Sequence, residues 1–202
     1  MAISSAFYEF LLVDIGAEGR HSDGGVFKNS NMGQLFTANA IHVPPPCPIV
    51  ENGELMPYVL VADEAFQLTN YMMRPYPGRT LTESQRIFNY RLSRARRVIE
   101  NAFGIMVARW RIFCGPLNTS LSTSENIIKA CVVLHNFCIN KPQFSSARNA
   151  DKNSTHDSYV QPMRRVGSNT HSRYAATIRD NFKNYFLHEG AVHWQYKLNN
   201  IF

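Results

Sequence analysis

The chain has 202 residues, 45% of them hydrophobic and 12% aromatic, enough apolar mass for a core and too much for a wholly disordered chain. Its formal net charge is +6 and its pI about 9.3, which points towards a polyanionic partner. No apolar run is long enough for a transmembrane helix, and four cysteines in 202 residues do not suggest a disulfide framework.

The opening MAISSAFYEFLLVDIGAEG has no basic region, and its apolar run is broken at Glu9 and Asp14. It does not read as a secretory leader, and an intracellular location is expected. Within it, Phe7 to Ile15 is dense in aromatic and branched residues, is closed by Gly16 and predicts a β-strand. GAEGRHSDGG is a turn-rich connection into VFKNSNMGQLF, a short helix with Ser22 or Asp23 near its start. The proline-rich VPPPCPIVENGELMP cannot sit inside a helix or a central strand. It leads to a short buried-type strand, Tyr58 to Ala62, which ends at Asp63 and Glu64.

After a break at RPYPG, a long helix is predicted from Thr82, with Phe88, Leu92, Ala95, Ile99, Phe103, Met106 and Trp110 forming its apolar stripe beside Ala102. A second helix runs from about Ser124 to Asn140. The stretch from Asn140 to Thr170 is polar and aperiodic and reads as a linker. A last amphipathic segment carries Ile178, Phe182 and Phe186 four apart. The expected division is a domain over 1–140, a linker over 141–170 and an amphipathic tail over 171–202. The class is α/β, yet two clear strands cannot make a free-standing sheet.

The positive charge is concentrated. From Arg74 to Arg111 there are nine arginines against Glu83 and Glu100, a local excess of +7. Guanidinium groups match phosphate oxygens, and Arg91, Arg94 and Arg97 are spaced to project near Glu100. The alternative is a solvated helix face.

Asp63 stands where a strand stops, a common place for functional groups in open α/β sheets. Glu100 lies next to the apolar stripe of the long helix. Facing carboxylates repel unless a cation lies between them, and a hard ion such as Mg²⁺ or Mn²⁺ takes oxygen ligands. The alternatives are an i to i+4 pair of Glu100 with Arg96 and a helix cap by Asp63 for AFQLTNYMM. Cys131, His135 and Cys138 have spacing for soft metal ligands but lack the fourth that a closed zinc site needs, so they are read as core. Trp110 and Trp194 are read as packing residues, and Asp23 as a turn or cap residue.

The run VADEAFQLTNYMMRPYPGRTLTESQRIFNYRLSRARRVIENAFGIMVARWRIF, followed by KACVVLHNFC, resembles the PIF/Harbinger group of DDE transposases and their domesticated relatives. VDIGAEGRHSDGGVFKNS and NYFLHEGAVHWQ resemble it too, so the likeness covers almost everything but the linker. The resemblance implies an RNase H-like (DDE transposase/integrase) fold in which an Asp, a second Asp and a Glu hold divalent metal and cut DNA. Carried over by position, the second aspartate is Asp63 in VADEAF and the glutamate is Glu100 in RRVIENAF.

The family's first catalytic aspartate lies upstream of YEFLLVDIGAEG, and Asp14 occupies a later strand. The fold is therefore expected to lack its first strand or strands, and nuclease activity to be impaired. The resemblance also implies a nuclear location, DNA as partner and a Myb-like DNA-binding protein as a further one. Two rival expectations are a non-catalytic domesticated remnant that binds DNA or protein, and an incomplete gene product that does not fold alone.

Overall fold

The computed structural model describes residues 1–16, 22–141 and 172–200. It is mixed α/β, with helices far longer than any strand. The chain divides into two compact units, one from the described residues of Met1–Glu18 and Arg97–Gly167, the other from those of Gly19–Arg96 and Ser168–Phe202. Apart from Lys141, the segment read as a linker lies outside the described residues.

In the first unit, β1 (Ala2–Ser4) pairs antiparallel with β2 (Phe10–Val13). The strand expected from Phe7 begins later because Tyr8 is left-handed, with φ of 68°, a conformation no strand continues through. Phe10 is the anchor of β2, only 4% exposed, whereas Leu11, Leu12 and Val13 stand open. Phe10 packs with Ala102, Met106, Cys131 and Val132. Those last four belong to α3 (Glu83–Arg109) and α4 (Leu121–Ile139).

The hairpin is fastened to α4 through its main chain. The Asn136 carboxamide oxygen accepts the Phe10 N–H at 2.8 Å, and its NH₂ donates to the Phe10 carbonyl at 2.7 Å. Next to it, His135 Nε2 donates to the Tyr8 carbonyl at 2.8 Å, which helps hold the left-handed residue in place. A two-stranded hairpin is marginal alone, and these bonds replace a third strand's ladder.

The second unit holds α1 (Asp23–Asn29) and α2 (Asn31–Thr37). The single helix expected over VFKNSNMGQLF is thus split at Ser30, whose extended backbone ends one helix and whose hydroxyl accepts the Gly33 N–H of the next at 2.9 Å. A Cβ at Gly33 would lie 1.9 Å from the Phe27 carbonyl oxygen, so the tight corner admits only glycine there. The proline-rich passage makes a minimal antiparallel pair, β3 (Cys47–Pro48) with β4 (Leu55–Met56). Then β5 (Leu60–Val61) and β6 (Met72–Met73) pair in parallel.

The N-terminus of α3 is a reciprocal cap. Thr82 Oγ1 accepts the Gln85 N–H and the Gln85 side chain accepts the Thr82 N–H. The α3 stripe is close to that expected, with Phe88 at 1%, Leu92 at 6% and Met106 at 5% exposure. Ala95 and Phe103 differ, both being exposed, because Ala102 rather than Phe103 faces the core. Phe103 instead lies beside Phe10, ring centroids 5.1 Å apart. The last helix, α5 (Arg173–Leu187), buries Ala175 and Ile178 against Leu68, Met73, Tyr76 and Phe88, with Phe182 and Phe186 at the margin. A 3-10 segment, His193–Asn200, follows.

Two stability predictions follow from the first unit. Asn136→Ala leaves an N–H and a carbonyl of Phe10 without partners and is expected to destabilise the chain by about 2 kcal/mol in urea unfolding. Burial pushes the His135 imidazole below its usual pKa; the Tyr8 hydrogen bond opposes this and the Arg109 charge adds to it. A depressed histidine contributes stability above its unfolded value and loses it as pH falls below about 6.5 through the folded value. Melting temperature should fall over that acid range in the parent chain and fall less in His135→Gln.

Candidate functional site

The parallel pair β5 and β6 sets the geometry around Asp63. Val61 is in register with Met73, so the residues that follow, Asp63 and Arg74, emerge at the same end of the pair. Asp63 is half-buried, and its Oδ1 accepts the Ala65 N–H at 2.9 Å. This is an Asx turn; the helix that AFQLTNYMM was expected to form under an Asp63 cap is absent, and the stretch is turn and extended chain. Arg74 closes the turn from the other side, its Nη1 donating to the carbonyls of Phe66 at 3.2 Å and Glu64 at 3.4 Å.

Glu100 lies in the other unit, exposed on α3. Among the described residues no group of three or more His, Cys, Asp or Glu side chains is arranged to hold a metal ion. The donor set that a divalent-cation nuclease requires is not assembled there, and neither is the zinc set. His135 is fully buried with Nε2 committed to Tyr8, Cys131 is buried, and all four cysteines are unpaired.

The arginines expected at a phosphate-binding face have different surroundings. Arg91 is half-buried; its Nη1 donates to the Gly190 carbonyl at 2.8 Å and to Gln195 Oε1 at 2.9 Å. Its guanidinium lies 4.2 Å from the centroid of Phe186, and burial lowers its pKa. Gln195 is itself buried and donates to the Phe186 carbonyl at 2.8 Å. Arg91 therefore fixes the C-terminal segment onto α3. Arg94 is exposed and stacks 4.4 Å from the Trp194 centroid, with Tyr90 edge-on to the same indole. Arg97 is half-buried in the first unit. Trp194 is thus a packing residue, with the Arg91 guanidinium 5.3 Å and that of Arg94 4.4 Å from its ring centroid.

Asp14 accepts the N-terminal ammonium of Met1 through its carbonyl at 2.6 Å. Asp23 opens α1, while Ser22 supplies the cap.

A polar cluster in the second unit has no counterpart in the sequence reading. Tyr76 donates its phenol to Asp180 Oδ1 at 2.5 Å, and Lys183 Nζ donates to the same oxygen at 2.8 Å. Arg179, 6% exposed, lies 3.9 Å over the Tyr76 ring. Burial, then the bond to Asp180, pushes the phenol well above its usual range. Burial alone would raise the Asp180 carboxyl, but the bonds from Lys183 and Tyr76 outweigh it and hold the group low. The spacing of Asp180 and Lys183 on α5 was a legible pairing signal. Tyr76, 104 residues from Asp180, left none.

Against known proteins, residues 1–136 match the DDE superfamily endonuclease family. The chain is also 32% identical over 131 residues to "Protein ALP1-like" of Arabidopsis thaliana, an alignment that covers 64% of this chain and 32% of that protein. The chain thus spans about a third of that curated relative's length. No solved structure matches it.

The contrast between two neighbouring arginines is measurable. Arg91→Lys keeps the charge but loses the planar fork, and should cost about 1–2 kcal/mol in denaturant unfolding. Arg94→Lys, on an exposed stack, should cost under about 1 kcal/mol.

Proposed function

The chain belongs to the DDE superfamily endonucleases, and on that premise we propose that it is a transposase-derived nuclease domain of Harbinger type acting on DNA phosphodiester bonds. The observation that carries the reading is the family match over residues 1–136, which includes both VADEAF and RRVIENAF. It is joined by the placing of Asp63 on a braced turn at the end of a parallel strand pair, where α/β sheets present functional groups.

The proposed fold is RNase H-like, with Asp63 and Glu100 as the carboxylates given to Mg²⁺ or Mn²⁺. In such enzymes the bound metal polarises the phosphate and lowers the pKa of the attacking water. The reading assigns Asp63 and Glu100 from their motif positions. Arg94 and Arg97 are proposed contacts to backbone phosphates; Arg91 joins them only if its bonds to Gly190 and Gln195 open. DNA is the proposed substrate, the nucleus the proposed location and a Myb-like protein a proposed partner.

The second reading is a domesticated remnant that binds DNA or protein without cutting, for which the excess of arginine between Arg74 and Arg111 would suffice.

The two readings part in a plasmid-nicking assay with Mn²⁺. Under the first, the purified 202-residue chain nicks supercoiled DNA slowly, and Asp63→Asn and Glu100→Gln each abolish the nicking. Retained DNA affinity that falls steeply with salt, with no nicking and no response to Mn²⁺, would leave the second reading standing.

A further inference from the structure

Arg74 and Arg179 share one arrangement. In each, Nε is buried and has no hydrogen-bond partner. In each, Nη1 donates to main-chain carbonyls over long distances. They measure 3.2 and 3.4 Å for Arg74, and 3.4 Å from Arg179 to Pro75. Arg91, in the same unit, shows what a fully engaged structural arginine looks like here, with bonds of 2.8 and 2.9 Å. Guanidinium groups left under-bonded inside a protein are costly unless an acceptor completes them.

The two groups are neighbours, because Arg179 bonds to the carbonyl of Pro75, the residue that follows Arg74. Arg74 has its pKa lowered first by burial and then by the charge of Arg179, with Glu64 opposing. Asp180 offsets Arg179 only in part, because its Oδ1 also takes bonds from Tyr76 and Lys183. Arg74, Arg179 and Lys183 therefore outnumber Asp180 and the exposed Glu64. Paired guanidiniums with an excess of positive charge and unused Nε–H donors match a tetrahedral oxyanion, which accepts side-on forks from two directions.

We propose that Arg74 and Arg179 form a phosphate-binding site beside the Asp63 turn. Arg74, half-buried and held by long bonds, is the gate. When it swings from the carbonyls of Glu64 and Phe66, both Nε–H groups open towards one ligand, with the Tyr76 ring supporting Arg179 from beneath. The phosphate is either a phosphodiester of a DNA backbone, in which case the site deepens the nuclease reading and rests on it, or free inorganic phosphate.

The test is nuclear magnetic resonance of the Nε–H groups of the ¹⁵N-labelled chain in EDTA, so that no metal or nicking is involved. Signals are assigned with Arg74→Lys, Arg179→Lys and Arg91→Lys. Titration with inorganic phosphate should shift the Arg74 and Arg179 signals saturably and leave Arg91 in place. Arg74→Lys should weaken phosphate binding about ten-fold while keeping a cooperative melt; this variant decides the matter if the buried Arg179→Lys fails to fold. Competition by a short DNA duplex identifies the phosphodiester as occupant, and saturable binding that DNA does not compete assigns the site to free phosphate. Signals that do not move, or that move linearly and equally with Arg91, overturn the proposal, as does unchanged affinity in Arg74→Lys. Phosphate binding without nicking would sink the nuclease reading alone, and nicking without phosphate binding would sink this one alone.

Discussion

Short strands leave main-chain groups to be satisfied by something other than a ladder, and this constraint organises both units. Among the described residues no strand exceeds four residues. Each unit meets the shortfall with an asparagine carboxamide borne on a helix. Asn136 of α4 accepts from and donates to Phe10 in the first unit. Asn89 of α3 does the same to Tyr76 in the second, at 2.7 and 3.0 Å. A carboxamide presents one acceptor and two donors in a plane, so it mimics the edge of a neighbouring strand. A buried main-chain group left unbonded costs about 1–3 kcal/mol, which makes these side chains as necessary to each unit as its apolar core.

The same logic divides the arginines. Density of positive charge along α3 suggested one phosphate-facing set, yet charge alone does not say which guanidinium is spent inside the protein. Arg91 bridges the C-terminal segment, and Arg94 stacks on Trp194. Arg74 and Arg179, which lie outside the set Arg91, Arg94 and Arg97, each keep a buried Nε without a hydrogen-bond partner. An arginine is available to a partner only to the extent that its fork is not already occupied.

What was legible in the sequence was whatever depends on near neighbours. The long helix, its Thr82 start and the buried Phe88, Leu92 and Met106 followed from spacing and capping. So did the stripe of Ile178, Phe182 and Phe186, and the reading of Cys131 and His135 as core. The break at Ser30 was missed although Asn29, Ser30 and Asn31 are cap-forming residues, and the close approach of Gly33 to Phe27 shows why the chain must turn there. The strand Ala2–Ser4 was missed because three residues carry no period. Around Asp63 the strand end was legible, but the turn was not. Its brace, Arg74, was recorded only as charge, and Tyr76 and Asp180 meet across 104 residues.

The braced turn bears on what Asp63 can do. Ala65 N–H fixes Oδ1. Arg74 ties the carbonyls of Glu64 and Phe66, and the buried Leu68, 1% exposed, anchors the chain just beyond. The result is a side chain whose direction is set by the main chain rather than by a free rotamer.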